Sequence, residues 1–163
     1  MQAHINIGSN IGNRAENISR AVSLLGRRVG RVCEVSRPVE SEAWGYRSPN
    51  VFLNLGVNVE SACSGEEILK ILKEIEAEID PCGQHRDGRG GYADRAIDLD
   101  LICMGQEVAD SPTLTLPHPR MHLREFVLAP MAEILPGWKH PVLGKSVEKL
   151  LDELHNKSRI KSV

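Results

Sequence analysis

The sequence predicts an α+β fold of the ferredoxin-like type: a β-α-β-β-α-β core with an antiparallel sheet, followed by extra C-terminal helices. Three observations lead there. Segments whose apolar residues alternate, HINIGSN and VFLNLGVNVE, are each followed by a segment with apolar residues three and four apart. The order of these segments is strand, helix, strand, strand, helix, strand, the ferredoxin-like succession in which helices cover one face of the sheet and leave the other free. At 163 residues, with 41% hydrophobic and 26% charged residues, the chain has the size and composition of one globular domain, expected to span 1–163.

Each element has its own signal. HINIGSN reads as a short strand ending in a turn at Gly8, with Ser9 or Asn10 bonding locally to backbone. Residues 13–28 follow with Ile18, Ala21, Val22 and Leu25 at helical spacing, closed near Gly26 or Gly30. GRVCEVSRPVESEAWG is a second strand running into a loop, and VFLNLGVNVE a third strand after the breakers Ser48, Pro49 and Asn50. Ser64 caps the second helix, 65–79, with Glu67 in the capping-box position and Ile68, Ile71, Leu72, Ile75 and Ile79 as its apolar stripe. The glycine-rich loop 80–94 leads into RAIDLDLICMG, the fourth strand. Beyond it, 114–137 holds a proline-bounded turn and a helix, and SVEKLLDELH is a short terminal helix.

Composition narrows the function. A net charge of −2 argues against a nonspecific nucleic-acid binder, and six aromatic residues are too few for an RNA-recognition sheet. The four cysteines form no C-x-x-C pair and suit neither a zinc site nor a disulfide framework, so a reducing cytoplasm is the simplest home. The N-terminus lacks a charged n-region and an apolar h-region, and no run of 18 apolar residues occurs, so no membrane association is expected.

The chemistry concentrates in four places. In the fourth strand, Asp98 and Asp100 must share a face, because side chains alternate. At roughly 6.5 to 7 Å apart the two charges repel unless water or a cation intervenes. Magnesium suits the pair, since it takes one or two carboxylates and completes its shell with phosphate and water; a solvated outer face is the alternative. The loop before the strand gathers Arg86, Arg89 and Arg95 with glycines, His85 and Tyr92, which suits phosphate if it is not simply a solvated loop. LPHPRMHLREF places His118, Arg120, His122 and Arg124 within seven residues beside stiffening prolines, a basic cluster fit for an anion. Phe52 and Asn54 share a strand face and pair an aromatic plate with an amide that can read a flat heterocycle. GSNIG at 8–12 lacks the spacings of the known phosphate loops.

Taken in chain order, IGSNIGNR, SEAWG with FLN, RAIDLDLICMG and LPHPRMHLREFVLAPMAEILP resemble 6-hydroxymethyl-7,8-dihydropterin pyrophosphokinase of folate synthesis, over about residues 5 to 138. The resemblance implies pyrophosphoryl transfer from ATP to the pterin hydroxymethyl group, leaving AMP. It implies that Asp98 and Asp100 hold two magnesium ions with ATP, and that Arg95, His118 and Arg124 contact the triphosphate, with Thr115 near the adenine. Phe52 and Phe126 would sandwich the pterin, Asn54 would read its polar edge, and backbone around Ser41 and Trp44 would complete the pocket.

The chain departs from the family pattern in three places. GQHRDGRGGY stands where the family has G-R-x-R before a tryptophan, which leaves Arg86 and Arg89 as candidates for the loop arginine and puts Tyr92 in the tryptophan's place. Ser41, Glu42 and Ala43 stand for T-x-P, and Asp94 for the proline before Arg95. The loop 83–94 is expected to be mobile without ligand and to order over both substrates. A monomer or weak dimer is expected. Two other readings share some of these residues: another two-metal nucleotidyltransferase on a ferredoxin-like sheet, and a non-enzymatic small-molecule-binding domain.

Overall fold

The computed structural model describes residues 1–43, 48–81 and 94–161. In chain order they form β1 (Gln2–Ser9), α1 (Arg14–Arg28), β2 (Arg31–Val35), β3 (Val39–Ser41), β4 (Phe52–Glu60), α2 (Gly65–Ile79) and β5 (Asp98–Met104). A ribbon of β6 (Ala109–Asp110) and β7 (Thr115–Leu116), a 3-10 turn at Met121–Leu123, α3 (Glu125–Ile134) and α4 (Val147–Lys161) complete it. No helix among these residues is long and apolar enough to cross a membrane.

The sheet has the order β2-β4-β1-β5 with every neighbour antiparallel, and β3 also pairs with β4. The segment after β2, expected as a loop, thus contributes a short strand that carries Ser41. Local signals account for the helices. The Asn13 side chain accepts from Glu16 N at 3.1 Å to open α1, and both bonds of the Ser64–Glu67 capping box are present in α2. Helix α1 runs through Gly26 and closes at Val29, whose N–H donates to Leu25 O. Gly30 is required just beyond, because a Cβ there would collide with the Glu60 carbonyl.

One face of the sheet receives α1 and α2, whose Ile18, Leu25, Ile68, Leu72 and Ile75 pack on Ile5, Ile7, Val57, Leu99 and Leu101. The opposite face, expected to be free, is half covered. Ile102, Cys103, Met121, Leu128, Met131 and Trp138 form a second buried cluster under α3 and α4. Alternation puts Ile102 on this face after Asp98 and Asp100, and a β-bulge adds Cys103. Leu101 pairs with Ile5 and Cys103 with His4, so Ile102 is an extra residue, and both Ile102 and Cys103 join the second cluster before Met104 returns to the first. That half of the face is apolar and demands a cover, whereas the half bearing Asp98 and Asp100 stays partly open. The terminal helix runs to Lys161, longer than the 146–155 read from sequence.

Candidate active site

The strand register assembles the site. In β1, Gly8 pairs with Asp98 on one side and with Asn54 on the other, and Asn6 pairs with Asp100 on one side and Gly56 on the other. Directly opposed residues of an antiparallel sheet point to the same face. The two aspartates and Asn54 therefore look out of one face, about 10 Å apart across two strand spacings. Gly8 is a strand residue here and not a turn. A Cβ at that position would stand 2.8 Å from Asn54 Oδ1 and 3.4 Å from the Phe52 ring, so glycine keeps the floor between them bare.

Two nearly buried guanidinium groups flank the aspartates. Arg95 Nη1 donates to Asp98 Oδ1 at 3.0 Å, and Arg124 Nη1 lies 3.9 Å from Asp100 Oδ2, with arginine side-chain exposures of 6% and 8%. Asn10, read from sequence as bonding locally, instead accepts from Arg95 N at 2.7 Å and donates its own N–H to Arg95 O at 3.1 Å. Arg124 lies over the Phe126 ring at 5.6 Å, so the cation and the aromatic plate are placed as a unit.

A third carboxylate was not singled out in the sequence. Glu76 of α2 accepts from Leu99 N, between the two aspartates, at 3.0 Å. Its signal was its position among Leu72, Ile75 and Ile79 on the apolar stripe, where a charged residue needs a buried partner. Burial raises Glu76 to about 7 against the pull of the Leu99 N–H, with Asp98 adding and Arg95 and Lys73 opposing. Asp100 is likewise pushed well above the usual carboxylate range, by burial first and then by Asp98 and Glu76, with Arg124 and Arg95 opposing. Among the described residues, three carboxylates at this end of the sheet face only Arg95 and Arg124 closely.

The basic cluster divides. His118 N donates to Ile102 O at 2.8 Å, which seats the proline-flanked turn beside β5. Burial lowers His118 to about 4, Arg124 and Arg120 lower it further, and Asp98 opposes them. Its Nδ1 accepts from Arg120 N at 3.1 Å, so at neutral pH the ring presents Nε2–H as an uncharged donor. His122 is lowered by burial and by Lys157 and Lys145, on the side of α4, while Arg120 is exposed. Two of the four ionisable groups, His118 and Arg124, thus join the aspartates.

Beside them, a cleft of about 290 Å³ has Asp100 and His118 among its walls together with Leu69, Leu99, Leu101 and Thr115. On the other side of Gly8, Asn54 Nδ2 donates to Ser41 Oγ at 2.8 Å, which fixes the amide and leaves its oxygen toward the bare floor. The Asn6 amide, with its nitrogen toward Leu55 O (3.3 Å) and Phe126 O (3.2 Å), ties the start of α3 to the sheet. Trp44, Arg86, Arg89 and Tyr92 lie outside the described residues, as do His85 and the rest of 82–93.

Among the described residues no three His, Cys, Asp or Glu side chains converge as a metal cage. Two adjacent carboxylates, one of them held toward neutrality by its surroundings, fit a divalent ion whose other ligands come from phosphate and water.

Comparison with known proteins gives a consistent result. Residues 4–136 match the model of the 7,8-dihydro-6-hydroxymethylpterin-pyrophosphokinase (HPPK) family. The chain is 40% identical over 140 residues to 2-amino-4-hydroxy-6-hydroxymethyldihydropteridine pyrophosphokinase of Porphyromonas gingivalis, covering 85% of this chain and 92% of that protein. It is 38% identical over 133 residues to the Bacillus subtilis protein of the same name, covering 81% and 77%. The fold is similar to the crystal structure of wild-type Plasmodium falciparum HPPK-DHPS, with a TM-score of 0.70 at 16% identity, over 99% of this chain and 45% of that one.

Proposed function

The chain belongs to the HPPK family and is a pyrophosphokinase of folate synthesis, and from that premise we propose that it transfers the β,γ-diphosphoryl group of ATP to the hydroxymethyl group of 6-hydroxymethyl-7,8-dihydropterin, releasing AMP. One observation carries the reading of the site. The register of β1 sets the acidic pair, with its two arginines, on one side of Gly8, and Asn54 on the other, leaving room for two ligands to meet over one glycine.

ATP lies in the cleft beside Leu69 and Leu101, with Thr115 near the adenine, and its phosphates reach Arg95, Arg124 and the His118 Nε2–H. Arg86 and Arg89 are the candidates to approach the triphosphate from the loop. The pterin ring lies between Phe52 and Phe126, with Tyr92 and the backbone around Ser41 and Trp44 at its edge. The Ser41-held amide of Asn54 reads its polar side.

Asp98 and Asp100 are the residues that would hold magnesium, two ions bound together with ATP. When bound, magnesium neutralises the triphosphate and orients its oxygens for in-line displacement. The protein's own residues position the reactants and stabilise developing charge. The hydroxyl oxygen bonds to the β-phosphorus, the α,β-bridging bond breaks, and the hydroxyl proton departs. A carboxylate of the acidic pair, such as Asp100, is the candidate late acceptor for it. Residues 1–163 act as one domain in this reading, since both apolar clusters pack on the same sheet.

The test is to incubate the protein with ATP, magnesium and hydroxymethyldihydropterin and to identify the products. AMP and the pterin diphosphate are expected. ADP, or inorganic pyrophosphate with a nucleotidyl adduct, overturns the proposal.

A further inference from the structure

We infer that Asp94 is a positioning residue that ties the phosphate side of the site to the pterin side. The inference rests on the functional reading above only for its kinetic arm.

Asp94 gathers donors from two other parts of the chain. Its Oδ1 accepts from Asn10 Nδ2 at 2.8 Å, and its Oδ2 accepts from Ser48 Oγ at 3.0 Å and from Asn50 Nδ2 at 2.6 Å. These bonds reinforce one another. Ser48 Oγ also accepts from Asn50 N at 3.1 Å, and Asn10 Nδ2 also reaches Asn50 O at 3.4 Å. Asn10 is buried at the end of β1 and holds Arg95 by both its side chain and its backbone. The segment 48–50 runs directly into β4, where Phe52 and Asn54 look onto the bare floor at Gly8.

One carboxylate, on the residue adjoining Arg95, thus joins two things: the buried asparagine that holds Arg95, and the entry to the strand carrying the pterin-facing side chains. The chemistry needs a carboxylate, because ionised Asp accepts on both oxygens and forms the stronger charge-assisted bonds. An Asn at 94 has one acceptor oxygen and would face the Asn10 and Asn50 amides with donors of its own. Asp94→Ala removes the side-chain bonds to Ser48 and Asn50 and loosens segment 48–50, which keeps Asn10 Nδ2 on Asn50 O and Arg14 on Val51 O, while the pairing of β1, β4 and β5 persists and Arg95 keeps its bonds to Asn10 and Asp98. The perturbation therefore falls on the pterin side, where a displacement of about 1 Å is enough to cost rate.

The experiment uses the full chain with Asp94→Ala, Asp94→Asn, Asn50→Ala and the double variant Asp94→Ala/Asn50→Ala. Steady-state kinetics with Mg-ATP should show the pterin KM raised roughly tenfold in Asp94→Ala, with kcat lowered and the ATP KM within about twofold of wild type. The Asn variant should fall between Ala and wild type. The double variant should be no worse than Asp94→Ala, because the two residues share one interaction. Hydrogen exchange of amides 50–55, measured without substrates, should be faster in Asp94→Ala while that of β1 is unchanged. That arm stands whatever reaction the enzyme catalyses, so a wrong substrate reading and a wrong role for Asp94 are told apart. Unchanged exchange at 50–55, additive effects in the double variant, or an equal rise in both KM values overturns the inference.

Discussion

Replacing His4 by glutamine should remove an acid-sensitive weakness from the fold. His4 is fully buried beneath α3, and its Nδ1 lies 2.8 Å from Asn58 Oδ1. Asn58 commits its own Nδ2 to Ile134 O at 2.9 Å, so its oxygen faces the ring and Nδ1 carries the proton. The other nitrogen, Nε2, has no hydrogen-bond partner among the described residues, and it sits against Gly56. A proton added there would be a buried charge with no acceptor. Burial accordingly lowers His4 from 6.5 to about 4, with the Asn58 bond opposing. The unfolded chain takes up the proton first, so the folded state loses stability as pH falls from 6.5 toward 4. At about 1.4 kcal/mol per pH unit, the full loss is about 3 kcal/mol below pH 4, of which about 2 kcal/mol accrues between pH 7 and pH 5. Glu76 and Asp100 act with the opposite sign, since raised carboxylates favour the folded state as pH falls through 7. Both proteins share those groups, so they cancel in the difference. Urea unfolding of wild type and His4→Gln at pH 7, 6 and 5 should show the gap shifting by about 2 kcal/mol in favour of the variant. A gap constant within about 0.5 kcal/mol would refute the reasoning.

Three further outcomes are expected. Asp98→Ala and Asp100→Ala should each lower AMP formation by more than about a hundredfold while thermal melts stay cooperative, whereas equal loss of fold and activity would give the pair a structural role. Asn54→Ala should weaken pterin binding by about 1 to 3 kcal/mol in a calorimetric titration and leave ATP binding nearly unchanged; an unaltered pterin affinity removes Asn54 from the site. Gly30→Ala should destabilise by about 1 to 3 kcal/mol in urea, because its methyl would meet the Glu60 carbonyl, and a neutral result would show that the α1–β2 turn can yield.

The core elements were legible because they are written in local physics. Alternation marked the strands, the Ser64–Glu67 box opened α2, and the D-x-D spacing alone put Asp98 and Asp100 on one face. The motifs in chain order also carried the family resemblance. What the chain could not disclose residue by residue was everything set by which strand lies beside which. Gly8 looked like a turn until the pairing placed it between Asp98 and Asn54, and Glu76 looked like one more helix glutamate until α2 met Leu99 N. The cover over half of the second face follows from Ile102 and Cys103 together, and the bulge that turns Cys103 to that face is invisible to a period-two pattern. His118 and His122, four residues apart in the same basic run, part company because one is anchored to β5 and the other turns to α4. Periodicity and capping act over a few residues and can be read along the chain. Register, burial and the pKa values that follow from them are fixed only when distant segments meet, because solvent exclusion and Coulomb energy depend on neighbours in space.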